Sequence, residues 1–149
     1  SNMQLVLLVT TTQKEVPVNN LENYKYRNEV KVIFPENREE LLNLTAAAYT
    51  GVYLSSNAEN DNQSMLAMFN KVPLITSDTD FNKAIYEDAV LYSSLEEKKL
   101  SETMMLLYKD ENLRNDLILK GSTLAAGYTW EATAAKLWGF LQESAVQTA

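Results

Sequence analysis

The sequence predicts a doubly wound, Rossmann-like α/β fold: a parallel sheet of about five strands, helices on both faces and a helical carboxyl-terminal tail. Short apolar runs alternate with helical segments as far as residue 92, which is the pattern of parallel strands buried on both faces. From residue 95 onward the pattern is only helical. The length of 149 residues suits one domain. We therefore expect a single domain over 1–149, with residues 1–2 as a tag remnant.

Five segments have the composition of strands. Gln4–Thr10 is a continuous apolar run, and Glu29–Phe34 is β-branched and stops at Pro35. The other three are shorter apolar runs with polar neighbours: Gly51–Ser55, Val72–Thr76 and Ala89–Tyr92. Because the loops that leave parallel strands gather at the carboxyl edge of the sheet, we expect a ligand to bind there.

Helices are predicted between and after these strands. Arg38–Ala48 places its leucines on one stripe, and Asn37 is its predicted N-cap. Gly127 ends the helix before the last one, which Thr129 caps. The remaining predicted helices are Leu21–Tyr26, Gln63–Phe69, Phe81–Tyr86, Leu95–Lys109, Glu111–Ala126 and Thr129–Glu143.

The composition excludes several kinds of site. The chain has no cysteine and no histidine, which removes disulfides, thiol nucleophiles, histidine bases and zinc sites built on thiolate or imidazole. A formal net charge of −7 argues against a nucleic-acid partner. No segment has the roughly 20 apolar residues of a membrane helix. We expect a cytoplasmic protein without a transmembrane segment, a metal or a cofactor.

Several motifs follow one another between Val30 and Leu141. LAMFNKVPLITSD matches the pattern EAMAxGxPV followed by Ser-Asp, and LRNDLILKGSTLAAGYTWEATAAKLW matches a later pattern built on Leu-Arg, Gly and Trp-Glu. In order and spacing, this set resembles the C-terminal nucleotide-sugar-binding domain of retaining GT-B glycosyltransferases (glycosyl transferases group 1), which include sucrose and glycogen synthases. The resemblance covers about three-quarters of the chain and implies the Rossmann-like fold predicted above.

The same resemblance implies a donor site after the third strand. In the family, backbone N–H groups of a turn and of the next helix face the sugar and pyrophosphate of the donor. A second carboxylate, on that helix, binds the ribose, and Leu66 stands at its position here. The matching candidates for donor binding are Ser55, Ser56, Glu59, Asn60, Asp61, Asn62 and Gln63. Alternatively, Glu59 is an exposed loop acid and the serines and amides only form the turn.

Two further interpretations concern residues outside that turn. Asp78 and Thr79 either border the same cleft or cap the following helix. Trp130 and Trp138 share one helical face approximately, and we interpret them as packing residues of the core.

The family's basic pair and acceptor domain would precede Gln4. The leading hypothesis is therefore that the chain is the donor-binding part of a glycosyltransferase. That enzyme would transfer a sugar from a nucleotide-diphosphate sugar to a glycan or other acceptor, in polysaccharide biosynthesis. The donor-binding part would be inactive by itself. No catalytic residue is assigned. The alternative is a degenerate GT-B-like domain that acts as a non-catalytic scaffold or partner-binding module, as Leu66 and the glycine-free turn would favour. If the chain lacks the strand and helix that precede Gln4 in the family, an apolar sheet surface near Val6 and Leu8 would be exposed and would promote self-association.

Overall fold

A computed structural model describes residues 3–9, 23–54 and 62–147. The chain divides into two compact units, 1–44 and 45–149. The first unit contains β1 (Leu5–Leu8), a 3-10 helix (Arg27–Glu29), β2 (Val30–Ile33) and the beginning of α1 (Arg38–Ala46).

In the first unit, β1 and β2 pair in parallel, from Leu5 opposite Val30 to Leu8 opposite Ile33. The predicted N-cap of α1 is confirmed, because Asn37 Oδ1 accepts a hydrogen bond of 2.9 Å from the backbone N–H of Glu40. The short helix predicted over Leu21–Tyr26 falls partly outside the described residues; within the described part Asn23 has 3-10 conformation, and a separate 3-10 helix spans Arg27–Glu29.

In the second unit, three parallel strands lie in the order β3-β4-β5. The strands alternate with helices, and three longer helices follow. The elements are β3 (Gly51–Tyr53), α2 (Asn62–Phe69), β4 (Leu74–Ser77), α3 (Asp80–Tyr86), β5 (Leu91–Ser93), α4 (Glu97–Lys109), α5 (Glu111–Ala126) and α6 (Trp130–Gln147).

The predicted α/β class is confirmed: strands are parallel, helices alternate with them and the tail is helical. The described residues contain five strands, but in a two-stranded and a three-stranded sheet. No helix in the described ranges has the length and apolar character needed to cross a membrane.

The core of the second unit lies on both faces of β4, whose four residues are all buried. Leu74 belongs to a cluster with Met68 on α2, and its neighbour Ile75 belongs to a second cluster with Leu107 on α4 and Leu117 on α5. Adjacent strand residues point to opposite faces. The three-stranded sheet is therefore covered on both sides, as a doubly wound fold requires.

The tail departs from the sequence prediction at its tryptophans. Trp130 is 87% exposed and Trp138 is 62% exposed, so the interpretation of both as core residues is wrong. Over residues 130–144 of α6, where burial is described, Ala132 and Gly139 are half-buried and the other positions are exposed. Helical spacing identifies an apolar face, but it does not say which face the rest of the chain covers.

Candidate functional site

The carboxyl edge of the three-stranded sheet carries a group of buried hydroxyl side chains. Thr76 and Ser77 end β4, and Ser93 ends β5; all three are buried. A strand buried on both faces normally carries apolar residues, so three hydroxyls at one edge are a local departure from that rule. Each has to be hydrogen-bonded there, because burying an unbonded polar group is costly.

The side-chain amide of Asn82, on α3, is hydrogen-bonded to β4 directly and to β3 through Thr76. Asn82 Nδ2 donates hydrogen bonds to Thr76 Oγ1 at 3.1 Å and to the Ser77 carbonyl oxygen at 2.9 Å. The Thr76 hydroxyl in turn donates to the carbonyl oxygen of Tyr53, at the end of β3, over 3.1 Å. The ends of β3 and β4 and the first turns of α3 are therefore fixed by one continuous set of hydrogen bonds.

The loop after β4 decides between two interpretations of Asp78 and Thr79. The Thr79 hydroxyl accepts a 3.1 Å hydrogen bond from the backbone N–H of Asn82, which confirms Thr79 as the N-cap of α3. Asp78 donates its backbone N–H to the Ser93 carbonyl oxygen at 3.0 Å, and its carboxylate lies 2.5 Å from Lys83 Nζ. Asp78 thus connects β4 to β5 and carries an ion pair at the edge.

Electrostatics at this edge follow from that ion pair and from burial. The pKa of Lys83 is raised because its ammonium group donates a hydrogen bond to Asp78 and is attracted by the same carboxylate. On β5, burial raises the pKa of Tyr92 to about 12, and the negative charges of Asp78 and Asp88 add to the effect. The Tyr92 hydroxyl therefore stays protonated at neutral pH and donates to the Glu87 carbonyl oxygen at 2.5 Å.

Two of the seven predicted donor-binding residues, Asn62 and Gln63, lie at the start of α2. Asn62 is the first residue of α2 and Gln63 lies half-buried in its first turn. The other five candidates lie outside the described residues: Ser55, Ser56, Glu59, Asn60 and Asp61. The next residue, Ser64, is almost completely buried. The start of α2 thus presents backbone N–H groups and the positive end of a helix dipole, which favour an anion.

Leu66 lies inside α2, not at its beginning. The helix begins four residues earlier, at Asn62, and Leu66 is half-buried. Its carbonyl oxygen accepts hydrogen bonds from the Asn70 backbone N–H at 3.1 Å and from Asn70 Nδ2 at 2.9 Å. The leucine side chain cannot accept a hydrogen bond, so no carboxylate acts at this position.

Carboxylates are not grouped for metal binding in the part of the chain that the structure describes. There, no three or more acidic residues are placed to hold one ion. The basic side chain next to the end of β4 is Lys83, and it is paired with Asp78.

Sequence reasoning missed Asn82 and Thr76. The spacing of Thr79 and Asn82 was a signal for a capped helix start. It carried no information on the two hydrogen bonds of the Asn82 side chain, because those depend on how α3 packs against β4.

Comparison with known proteins gives a fold and not a family. No protein-family model matches the sequence, and no curated protein matches it. Among solved structures, the chain is similar to a sucrose-phosphate synthase from Thermosynechococcus elongatus, with a TM-score of 0.73 and 18% sequence identity over 98% of this chain. The chain spans 39% of the length of that synthase chain. The likeness shows a glycosyltransferase-like fold.

Proposed function

We propose that this chain is the donor-binding domain of a glycosyltransferase that takes a nucleotide-diphosphate sugar. The observation that carries the proposal is the likeness in fold to a sucrose-phosphate synthase over 98% of the chain. The residue motifs that resemble retaining GT-B enzymes support it independently of the structure. In this proposal the whole chain, 1–149, forms one domain.

The start of α2 and the carboxyl edge of β3-β4-β5 would hold the donor. The backbone N–H groups at the beginning of α2 and its dipole would stabilise the diphosphate. Ser55 and Ser56 would contact phosphate, and Glu59 to Gln63 would form the turn that faces the sugar. The hydrogen bonds of Asn82 and Thr76 support the proposal because they fix the strand ends from which this site is built.

The chemistry would rest on positioning and on electrostatic stabilisation of the departing diphosphate. By the family resemblance, the acceptor-binding part of the enzyme would lie in a separate domain that precedes this one. The 39% share of the synthase chain that this chain spans is compatible with such a further domain. Retention of the sugar's configuration, a role in polysaccharide biosynthesis and a cytoplasmic location belong to the same proposal and rest on the family resemblance.

A second candidate function is that of a non-catalytic scaffold or partner-binding module. The specific observation in its favour is Leu66, which places an apolar side chain where the family has a ribose-binding carboxylate. An unmade buried hydrogen bond costs roughly 1–3 kcal/mol, which would weaken donor binding without abolishing it.

Calorimetric titration with UDP, GDP, ADP and their sugar conjugates separates the two functions. We expect one-to-one binding of one nucleotide family, weakened about tenfold by Glu59→Gln and unchanged by Glu102→Gln, an exposed acid on α4. Absence of heat with every ligand at millimolar concentration would contradict donor binding and favour the scaffold.

A further inference from the structure

Asp78 lies where the central strand of the three-stranded sheet ends. It follows Ser77, the last residue of β4, and its backbone N–H donates a 3.0 Å hydrogen bond to the carbonyl oxygen of Ser93, the last residue of β5. A side chain whose backbone is fixed to a rigid strand is held in a defined place. The Asp78 carboxylate is therefore positioned at the carboxyl edge, where we propose that the donor binds.

The Asp78 carboxylate is paired, but part of it stays open to solvent. Asp78 Oδ1 lies 2.5 Å from Lys83 Nζ, and the side chains of Asp78 and Lys83 are 48% and 51% exposed. A carboxylate can accept about four hydrogen bonds and an ammonium group donates three. After contact with each other, both groups therefore keep hydrogen-bonding capacity on their exposed sides.

This pair of groups fits adjacent hydroxyls better than it fits a phosphate. A carboxylate repels a phosphate group at close range. A hydroxyl, in contrast, donates its proton to a carboxylate oxygen and accepts from an ammonium group with its lone pairs. Two hydroxyls on neighbouring carbons of a sugar ring can therefore use Asp78 as acceptor and Lys83 as donor together. The Lys83 charge also offsets that of Asp78, which would otherwise oppose a diphosphate bound close by.

The surroundings of Asp78 favour a sugar ring over a nucleobase. Bases are commonly held by stacking on aromatic side chains. The described residues that end β4 and β5 are serines instead, Ser77 and Ser93. Thr76 and Asn82, at the same edge, are also polar and are hydrogen-bonded to each other at 3.1 Å. This edge therefore offers hydrogen bonds, which suit the hydroxyl groups of a sugar.

We propose that Asp78, together with Lys83, binds two adjacent hydroxyl groups of the donor. The inference rests on the proposed function and adds to it the side chains that recognise the sugar chemistry of the ligand. Both the ribose and the transferred sugar offer adjacent hydroxyls, and the ligands of the following test separate these two sources.

Calorimetric titration of Asp78→Asn tests the inference. The ligands are the nucleoside diphosphate that binds the unchanged chain, its 2′-deoxy form and its sugar conjugate. If Asp78 holds the ribose, the variant should bind the ribonucleotide about tenfold more weakly and the 2′-deoxy form less than about twofold more weakly. If Asp78 holds the transferred sugar, only the conjugate should lose the factor of about ten. Any effect of the altered charge on the diphosphate is common to all three ligands and cancels in the comparison.

Asp80→Asn is the matched control, because Asp80 is an exposed acid on α3 whose charge also acts on Lys83. It should leave the differences between the ligands unchanged, and circular dichroism should show both variants folded. An equal change for all three ligands in Asp78→Asn, or no change, would overturn the inference and leave donor binding intact. If no nucleotide binds the unchanged chain, the proposed function fails and the inference fails with it.

Discussion

The Asn82 side-chain amide lies 3.1 Å from the Thr76 hydroxyl, and this contact joins α3 to the carboxyl end of β4. The same hydroxyl donates a hydrogen bond to the end of β3. The Asn82 side chain is therefore linked to the ends of both β3 and β4, at the edge where we propose that the donor binds.

Replacing Asn82 should destabilise the unit through that network. Asn82→Ala removes two donated hydrogen bonds and leaves the buried Ser77 carbonyl with one partner fewer, so we expect a loss of about 1–3 kcal/mol in the free energy of unfolding. Urea denaturation measures it. Asn115→Ala, an exposed position on α5, is the control and should change stability by less than about 0.5 kcal/mol. Equal effects of the two changes would contradict the network.

Lys71→Gly should stabilise the protein. Lys71 has a positive φ of 62° in the turn between α2 and β4, and the backbone N–H of Val72 closes the helix on the Ala67 carbonyl oxygen. A left-handed conformation costs a non-glycine residue roughly 1–2 kcal/mol, and glycine avoids this cost. Glycine also has more conformational entropy in the unfolded chain, which offsets part of the gain in stability. We expect a gain of about 0.5–1 kcal/mol on thermal or urea unfolding. Lys71→Ala keeps the Cβ atom and should give no gain; an equal gain would show that the lysine side chain was responsible.

Two glycines in helices should respond differently to the same change. A Cβ atom on Gly121 of α5 would lie 3.2 Å from Met68 Cγ of α2, whereas one on Gly139 of α6 would meet nothing within 4 Å. Gly121→Val should therefore lower stability by about 1–3 kcal/mol through overpacking. Gly139→Val should be neutral or slightly stabilising because valine has the higher helix propensity. Comparable losses in urea denaturation would mean that α2 and α5 are not packed as described.

Alkaline pH should weaken the fold partly through Tyr92. Its pKa rises from 10.0 to about 12 on folding, so the folded state holds the proton more tightly than the unfolded chain. The resulting stability is fully present below pH 10 and is lost as pH rises toward 12. Tyr92→Phe should flatten the decline in unfolding free energy over that interval. Tyr128→Phe, at an exposed position, should leave the slope unchanged, and the same slope in both variants would exclude Tyr92 as its source.

Local chemistry explains why some elements were predicted closely. The limits of α5, Glu111–Ala126, agree with the sequence prediction, and its ends are marked by Asp110, whose side chain accepts from Leu113, and by Gly127. Capping residues act within one turn, so the sequence alone reveals them.

Features that depend on distant partners could not be predicted. The exposure of Trp130 depends on what packs against α6, and the hydrogen bonds of Asn82 depend on the approach of α3 to β4. The division of the strands into two sheets is also a matter of pairing between segments. The candidate turn after β3, including Glu59, stays a prediction.

A two-dimensional NMR titration of this chain with the nucleotide that binds in calorimetry, and with its sugar conjugate, tests the central claim most directly. We predict saturable amide shifts confined to residues 54–64 and to the strand ends at Ser77, Asp78 and Ser93. Shifts centred on α6 or on the first unit, or no shifts at millimolar ligand, would contradict a donor site at the carboxyl edge of β3-β4-β5.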